Sequence, residues 1–178
     1  VMLAVVTEPQ VFIECEKCRD EGQDSGQWFP ARTAGAVRSK DLHIGREHSR
    51  AELWCSKTQG LIHDYECDPQ EAQKQAELLH GLEPELHEAL RAWTRTGMAA
   101  EDPDGLPDVE VFRDLYLGEF FDFKEFADWY AANTGLLDGT PVEITRYFDW
   151  DLYANDLRHD FVTEATDNGE AIHVFSTY

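Results

Sequence analysis

Short apolar runs of high β propensity are spread over the first 67 residues. Each run is five or six residues long and is separated from the next by polar or glycine-containing sequence, of which EGQDSGQ at 21–27 is the clearest turn. The pattern predicts a mainly β-structured region with loops. The five runs are VMLAVV at 1–6, VFIEC at 11–15, QWFPA at 27–31, AELWC at 51–55 and LIHDY at 61–65.

Helix signals replace the strand pattern after residue 67. Asp68 is a good N-cap and Pro69 suits the first helical position. With Glu71 at the capping-box position, they predict a helix over 69–79. A second helix is predicted over 84–96, because apolar residues recur there at helical spacing, and a glycine follows each helix closely. The recurring apolar residues are Leu86, Ala89, Leu90 and Trp93.

Two further helices and a hairpin are predicted in the last third of the chain. Asp122 is typical of an N-cap, with Glu125 as its capping-box partner. Asp149 is predicted to cap a short helix over 150–158. Asn168-Gly169, between the β-prone runs FVTEA and AIHVF, predicts a hairpin. The apolar face of the first helix is predicted to consist of Phe123, Phe126, Ala127 and Tyr130. Gly135 is predicted to end this helix.

The chain is strongly acidic, and its charge is unevenly distributed. It holds 36 acidic and 15 basic residues, a net charge of -21, but 42% of its residues are hydrophobic, which is enough for a core. The net charge is -4 over 1–70, -7 over 71–112 and -10 over 113–178. Together with the element pattern, these segments predict an α+β fold of three small consecutive domains, the first β-rich, the second helical and the third acidic α+β, with a loop at 99–108 as a boundary.

This charge bounds the kinds of partner that the chain can bind. An acidic surface repels phosphates, so direct nucleic-acid binding is not expected, whereas a cationic groove would attract it. No run of about 18 apolar residues is present, so no membrane segment is expected. The run VMLAVV is too short for a signal peptide, and a cytoplasmic location is expected.

The acidic residues of 113–178 have few basic partners, since only Lys124, Arg146 and Arg158 lie between Asp114 and Glu170. Acids three or four residues apart on a helix are roughly 5–6 Å apart, a spacing on the order of that between phosphates along a DNA strand. A solvated helix face and helix caps explain the same spacing, but unpaired like charges weaken a helix. The candidate phosphate-mimicking carboxylates are Glu119, Asp122, Glu125, Asp128, Glu143, Asp149, Asp151, Asp156 and Asp160.

Neither a catalytic nor a metal-binding motif stands out. GxSxG, Walker, HExxH and GxGxxG patterns are missing, so no enzyme and no cofactor are expected. Cys15 and Cys18 form a CxxC that can hold zinc if a second pair lies nearby. The second pair, Cys55 and Cys67, is separated by eleven residues with His63 between them, so buried free thiols are the plainer interpretation and no metal site is expected.

Several stretches, taken in order, resemble the ArdA antirestriction family. The resemblance covers nearly the whole chain. The occurrence of these stretches in the family's order is more specific than any single stretch. It rests on VFIECEKCRDEGQDSGQWFPA at 11–31, LIHDYE at 61–66, LYLGEFFDFKEFADWYAANTGLLDG at 115–139, RYFDWDLYANDLRHDF at 146–161 and IHVF at 172–175.

The resemblance implies an elongated, dimeric antirestriction protein of three small domains, carried by a plasmid, transposon or phage. Such proteins imitate bent duplex DNA and fill the DNA groove of Type I restriction–modification enzymes, here in the cytoplasm of the bacterial host. Two other functions stay open. One is inhibition of a different DNA-binding system, such as a CRISPR effector or a repressor, since all such targets share a basic groove. The other is a zinc-dependent interaction module built on the four cysteines.

Overall fold

The computed structural model describes residues 8–42, 48–49 and 52–178, which form two compact units, 1–87 and 88–178. Each unit combines helices with a small antiparallel sheet, which confirms the α+β class. The strand predicted at 1–6 lies outside the described residues. The division into three domains stays a prediction. Within the described ranges, no helix is both long and apolar enough to cross a bilayer.

A three-stranded sheet organises the first unit. Its central strand, β1 (Gln10–Cys15), pairs with β2 (Gln27–Pro30) on one side and with β3 (Leu53–Gln59) on the other, both antiparallel. These strands confirm three of the predicted runs. The helices of this unit are α1 (Glu16–Asp20), α2 (Ser39–Leu42) and α3 (Pro69–His80), with 3-10 turns at Ala31–Ala36 and Pro84–Leu86.

The core of the first unit is built from alternate residues of β1 and one face of α3. Val11, Ile13 and Cys15 are fully buried, as the period-two alternation of a strand requires. They pack in one cluster with Ala72 and Ala76 of α3. All four cysteines belong to this cluster and are free thiols.

The strand predicted at 61–65 is wrong. Gly60 has a positive φ of 77° and ends β3, and the following residues form bends. Leu61 and Ile62 are buried, and the N–H of His63 donates to Oε1 of Gln75 at 3.1 Å. The side chain of Gln75 on α3 therefore accepts a backbone hydrogen bond that a neighbouring strand would otherwise accept.

Helix α3 begins as predicted, although not every capping group acts as expected. The carboxylate of Asp68 accepts from the N–H of Gln70 at 2.7 Å. Glu71 instead accepts from the hydroxyl of Tyr65 at 3.2 Å and from the amide of Gln75 at 3.4 Å. Glu71 thus ties the preceding loop to the helix.

The second unit has a sheet of its own, in which the last strand in sequence lies in the centre. The sheet order is β4-β6-β5 and both pairings are antiparallel. The elements, in chain order, are α4 (His87–Arg95), α5 (Val109–Leu115), β4 (Tyr116–Phe120), α6 (Phe123–Thr134), α7 (Val142–Thr145), α8 (Trp150–Leu157), a 3-10 turn at Arg158–Asp160, β5 (Phe161–Ala165) and β6 (Ile172–Ser176).

Local signals predicted most of these elements. Helix α6 is capped by Asp122 and ends at Gly135, whose φ of 67° is left-handed, and α8 is capped by Asp149. The hairpin β5–β6 also forms as predicted, through a six-residue loop in which Gly169 has a φ of 70°. Strand β4 was not predicted, because its sequence YLGEF has no clear alternation.

Aromatic side chains form the core of the second unit around Phe126. This ring is fully buried and lies 4.8 Å from the ring of Phe161 on β5 and 5.2 Å from those of Phe120 and Phe123, measured between centroids. Ala154 and Leu157 bring α8 into the same cluster. The cluster around Phe126 therefore joins α6 to the sheet and to α8.

Replacing Phe126 by Ala is expected to lower the free energy of unfolding by about 3–5 kcal/mol, because it opens a cavity at the centre of this cluster. The matched control is Phe121→Ala, whose side chain is 74% exposed and whose loss should change the free energy by no more than about 0.5 kcal/mol. Chemical denaturation of both variants measures the difference. Equal losses of unfolding free energy in the two variants would contradict the assignment of Phe126 to the core.

Candidate partner-binding surface

All nine candidate carboxylates are exposed. They lie on different elements of the second unit rather than on one helix. Glu119 is on β4, Asp122 caps α6, and Glu143 is on α7. The other six lie on α6 (Glu125, Asp128), at the start of or within α8 (Asp149, Asp151, Asp156) and on the 3-10 turn after it (Asp160).

The acids Glu119, Asp122, Glu125 and Asp128 recur every three residues in the sequence, as in a helical stripe, but the structure forms this stripe only in part. Glu119 pairs in register with His173 of β6, and Asp122 precedes α6 with extended backbone angles. Only Glu125 and Asp128 therefore share helical geometry. The spacing of three crosses a strand, a turn and a helix, because β4 ends at Phe120 and the chain turns before α6 begins.

Three of the nine carboxylates cap helices. Asp122 accepts from the N–H of Glu125 at 2.9 Å, and Glu125 accepts in return from the N–H of Phe121 at 2.6 Å. Asp149 accepts from the N–H of Leu152 at 2.9 Å at the start of α8. Each of these acids compensates backbone groups that a helix leaves unpaired, and each places negative charge at the positive end of the helix dipole.

Lys124 lies among several of these acids. Its ammonium group binds Asp151 at 2.9 Å and so links α6 to α8. The hydrogen bond and the charge of Asp151 raise the pKa of Lys124, and the charges of Asp128 and Asp122 act in the same direction. One cation therefore faces three carboxylates, which leaves this part of the surface negative.

The remaining five carboxylates form no hydrogen bond or ion pair with any described residue; they are Glu119, Asp128, Glu143, Asp156 and Asp160. Two cations of this unit, Arg158 and Lys124, are engaged elsewhere. The guanidinium of Arg158 lies 4.6 Å from the ring centre of Phe123, and Lys124 is held by Asp151. These five acids therefore project charge that the fold does not neutralise.

A different set of acids in the same unit is neutralised. Arg95 on α4 binds Glu164 at 3.1 Å and Asp167 at 3.2 Å, and also donates to the carbonyl of Ala165. The N–H of Asp167 donates to Glu88 at 2.7 Å. These contacts fasten the β5–β6 hairpin to α4, so Glu164 and Asp167 have structural roles.

A polar pair, which the sequence did not reveal, joins the half-buried Tyr116 of β4 to the buried His173 of β6. The hydroxyl of Tyr116 is 3.1 Å from Nδ1 of His173, which is buried. Burial raises the pKa of Tyr116 to about 12, with the charges of Glu119 and Glu88 acting in the same direction. Because the folded state holds this proton more tightly, its contribution to stability is complete below about pH 10 and is lost as the pH rises towards 12.

The cysteines do not assemble as one four-thiol group. Among the described residues, the ligand atoms that lie within 4.8 Å of one another are those of Cys15, Cys18 and His48. Cys55 and Cys67 pair with each other through two backbone hydrogen bonds, and their side chains are hydrogen-bonded as well. That hydrogen bond and burial raise the pKa of Cys55, so this thiol stays protonated and donates to the sulfur of Cys67.

The antirestriction family ArdA has a family model that matches residues 11–171 of the 178. The chain belongs to the ArdA antirestriction family. The resemblance read from the sequence is thereby confirmed. Comparison with curated proteins gave no match.

Membership in the ArdA family gives the function at a coarse level. The family comprises antirestriction proteins that inhibit Type I restriction enzymes, and its members are inhibitors rather than enzymes. The match extends over most of both compact units and includes all nine candidate carboxylates as well as Cys15, Cys18 and His48.

In this ArdA protein, capping and charge can be separated at Asp122. Asp122→Ala is expected to lower the free energy of unfolding by about 1 kcal/mol, because it removes the cap of α6. Asp122→Asn removes the same charge but keeps an oxygen that accepts from Glu125, so its stability should stay close to that of the parent chain. Urea unfolding of the two variants tests this. An Asn variant as unstable as the Ala variant would mean that charge, and not capping, stabilises α6.

Proposed function

We propose that the protein blocks a Type I restriction–modification enzyme by occupying the groove that normally holds duplex DNA. The carboxylates of the second unit take the places of phosphates against lysine and arginine side chains of the specificity and methyltransferase core. The observation that carries the proposal is the exposure of all nine carboxylates, five of which have no partner among the described residues. The proposal includes a cytoplasmic location in the bacterial host, because the protein must meet its target there.

Electrostatics favours a polycationic partner of this kind. A groove that binds DNA gains affinity by neutralising phosphates and by releasing their counterions. An acidic protein surface can enter the same groove for the same reason, and complementary charge also speeds the encounter. The three capping carboxylates contribute too, because a cap uses one acceptor position and leaves the negative charge in place.

The rigid placement of the carboxylates on α6 and α8 also supports the proposal. Helices α6 and α8 are held together by the cluster around Phe126 and by the ion pair between Lys124 and Asp151. Seven of the nine carboxylates lie on or next to these two helices. Because their backbone positions are fixed before binding, little ordering of the backbone is needed when the partner arrives.

Increasing amounts of the protein are expected to displace labelled duplex DNA from a Type I methyltransferase core near stoichiometric ratios. Displacement should weaken as salt rises, because the contacts are charge pairs. Changing Glu119, Asp122, Glu125 and Asp128 together to amides should weaken displacement more than the same charge change at Glu16, Asp20, Asp24 and Asp64 of the first unit. Amides keep the cap of α6, so a loss of affinity is not a loss of folding.

The assay separates the competing explanations. Equal losses from the two sets would contradict a dominant role for the second unit. No displacement by the parent protein from an active core would contradict the Type I target. A parallel panel with a CRISPR effector and a repressor would then identify another DNA-binding system as the target, since such systems share a basic groove.

We also propose that the protein is a homodimer. Four apolar side chains between residues 142 and 152 are each more than half exposed, namely Val142, Ile144, Tyr147 and Leu152. Exposed apolar side chains concentrated in one stretch are typical of a protein–protein contact. They lie in the same unit as the acidic residues, so a dimer through this stretch would extend the array of carboxylates.

Light scattering at micromolar concentration is expected to give about twice the chain mass of 20.4 kDa. Replacing Ile144 and Tyr147 together by Ser should shift the mass to that of one chain. Met98→Ser is the control, because Met98 is also exposed but lies outside this stretch. A parent protein with the mass of a single chain would refute the dimer, and a dimeric double variant would refute this interface.

A further inference from the structure

We propose that Cys15, Cys18 and His48 of the first unit bind a zinc ion. The two cysteines flank the junction of β1 and α1, and His48 follows them by about thirty residues in the chain. Their ligand atoms nevertheless meet, with Sγ of Cys15 at 3.1 Å and Sγ of Cys18 at 3.6 Å from Nδ1 of His48. All three ligands belong to the first unit, whereas the candidate carboxylates belong to the second.

The distances fit tetrahedral zinc. Zinc lies about 2.3 Å from a thiolate sulfur and about 2.0–2.1 Å from an imidazole nitrogen, so sulfur and nitrogen ligands are about 3.5 Å apart in a tetrahedron. The two observed separations lie on either side of that value. Binding requires only a small outward movement of Cys15. A set of two thiolates and one imidazole suits zinc better than the harder cations, which prefer oxygen ligands.

A hydrogen bond alone explains this arrangement less well. In the tautomer with the proton on Nε2, Nδ1 of a neutral imidazole has a single lone pair, which can accept from one of the two thiols, and in the other tautomer Nδ1 has a single N–H to donate. A metal ion placed between the three atoms uses both sulfurs and the nitrogen together. Both sulfurs are fully buried, so a role as an exposed nucleophile is also disfavoured.

The surroundings hold the histidine in place. The buried hydroxyl of Ser39, at the start of α2, accepts from the N–H of His48 at 2.8 Å and donates to its carbonyl at 3.1 Å. Two hydrogen bonds to one backbone residue fix the point from which the imidazole extends. Supporting contacts of this kind orient the ligands of metal sites.

The ion would act as a structural link in the first unit. It would close the loop between Cys15 and His48, which lie 33 positions apart in the chain, and closing a loop lowers the entropy of the unfolded chain. Its charge would offset the two thiolates that it stabilises. Water or a further side chain would complete the tetrahedron at the fourth coordination position.

The protein should be purified under reducing conditions with zinc, freed of unbound metal and analysed by mass spectrometry for metal content. One zinc per chain is expected in the parent protein and in the matched controls Cys67→Ser and His63→Ala. Cys15→Ser, Cys18→Ser and His48→Ala should each lose the stoichiometric metal. A parent chain with four reduced thiols and no stoichiometric zinc would overturn the proposal, as would loss of zinc from either control.

Cobalt substitution provides a second readout that does not depend on variants that lose metal. The thiolate-to-cobalt charge-transfer absorption of the parent protein should correspond to two thiolates. His48→Cys keeps a ligand at this position and should raise the intensity to that of three thiolates. An intensity of four thiolates in the parent would place the metal on all four cysteines instead, and an unchanged spectrum in His48→Cys would remove His48 from the site. Both results would overturn the proposal.

Discussion

Phe126 contacts aromatic rings from β4, from its own helix and from β5, and through the same cluster α6 packs on α8. The second unit carries most of the excess negative charge, so repulsion between its surface groups opposes a compact state. Burial of these rings is the interaction that offsets this repulsion. The arrangement of the carboxylates depends on it, because α6 and α8 bear or adjoin most of them.

Features that are encoded within a few residues could be predicted from the sequence. The caps of α3, α6 and α8 and the hairpin β5–β6 all follow from local patterns, and all are present. Strand β4 and the bends at 61–65 depend on contacts with distant residues, namely β6 and Gln75, and local patterns do not indicate these contacts. His48 was missed for the same reason, since only the fold brings it to the CxxC.

The candidate surface shows the same division. That the acids are exposed was predictable from their number and from the scarcity of basic residues near them. The helix-capping roles of Asp122, Glu125 and Asp149 could be predicted, since these residues stand at capping positions in the sequence. The ion pair of Lys124 with Asp151, 27 residues away, could not be predicted, and neither could the neutralisation of Glu164 by Arg95.

The position of β6 in the sheet sets the order in which the chain can fold during synthesis. Within the described part of the chain, β4 and β5 pair only with β6, so the sheet of the second unit cannot assemble before residues 172–176 leave the ribosome. The first unit has its sheet and α3 by residue 80. At about 5–20 residues per second, the two events are separated by on the order of 5–20 s. During that interval β4 and β5 lack the strand with which they pair, and the net negative charge of this half of the chain opposes non-specific association.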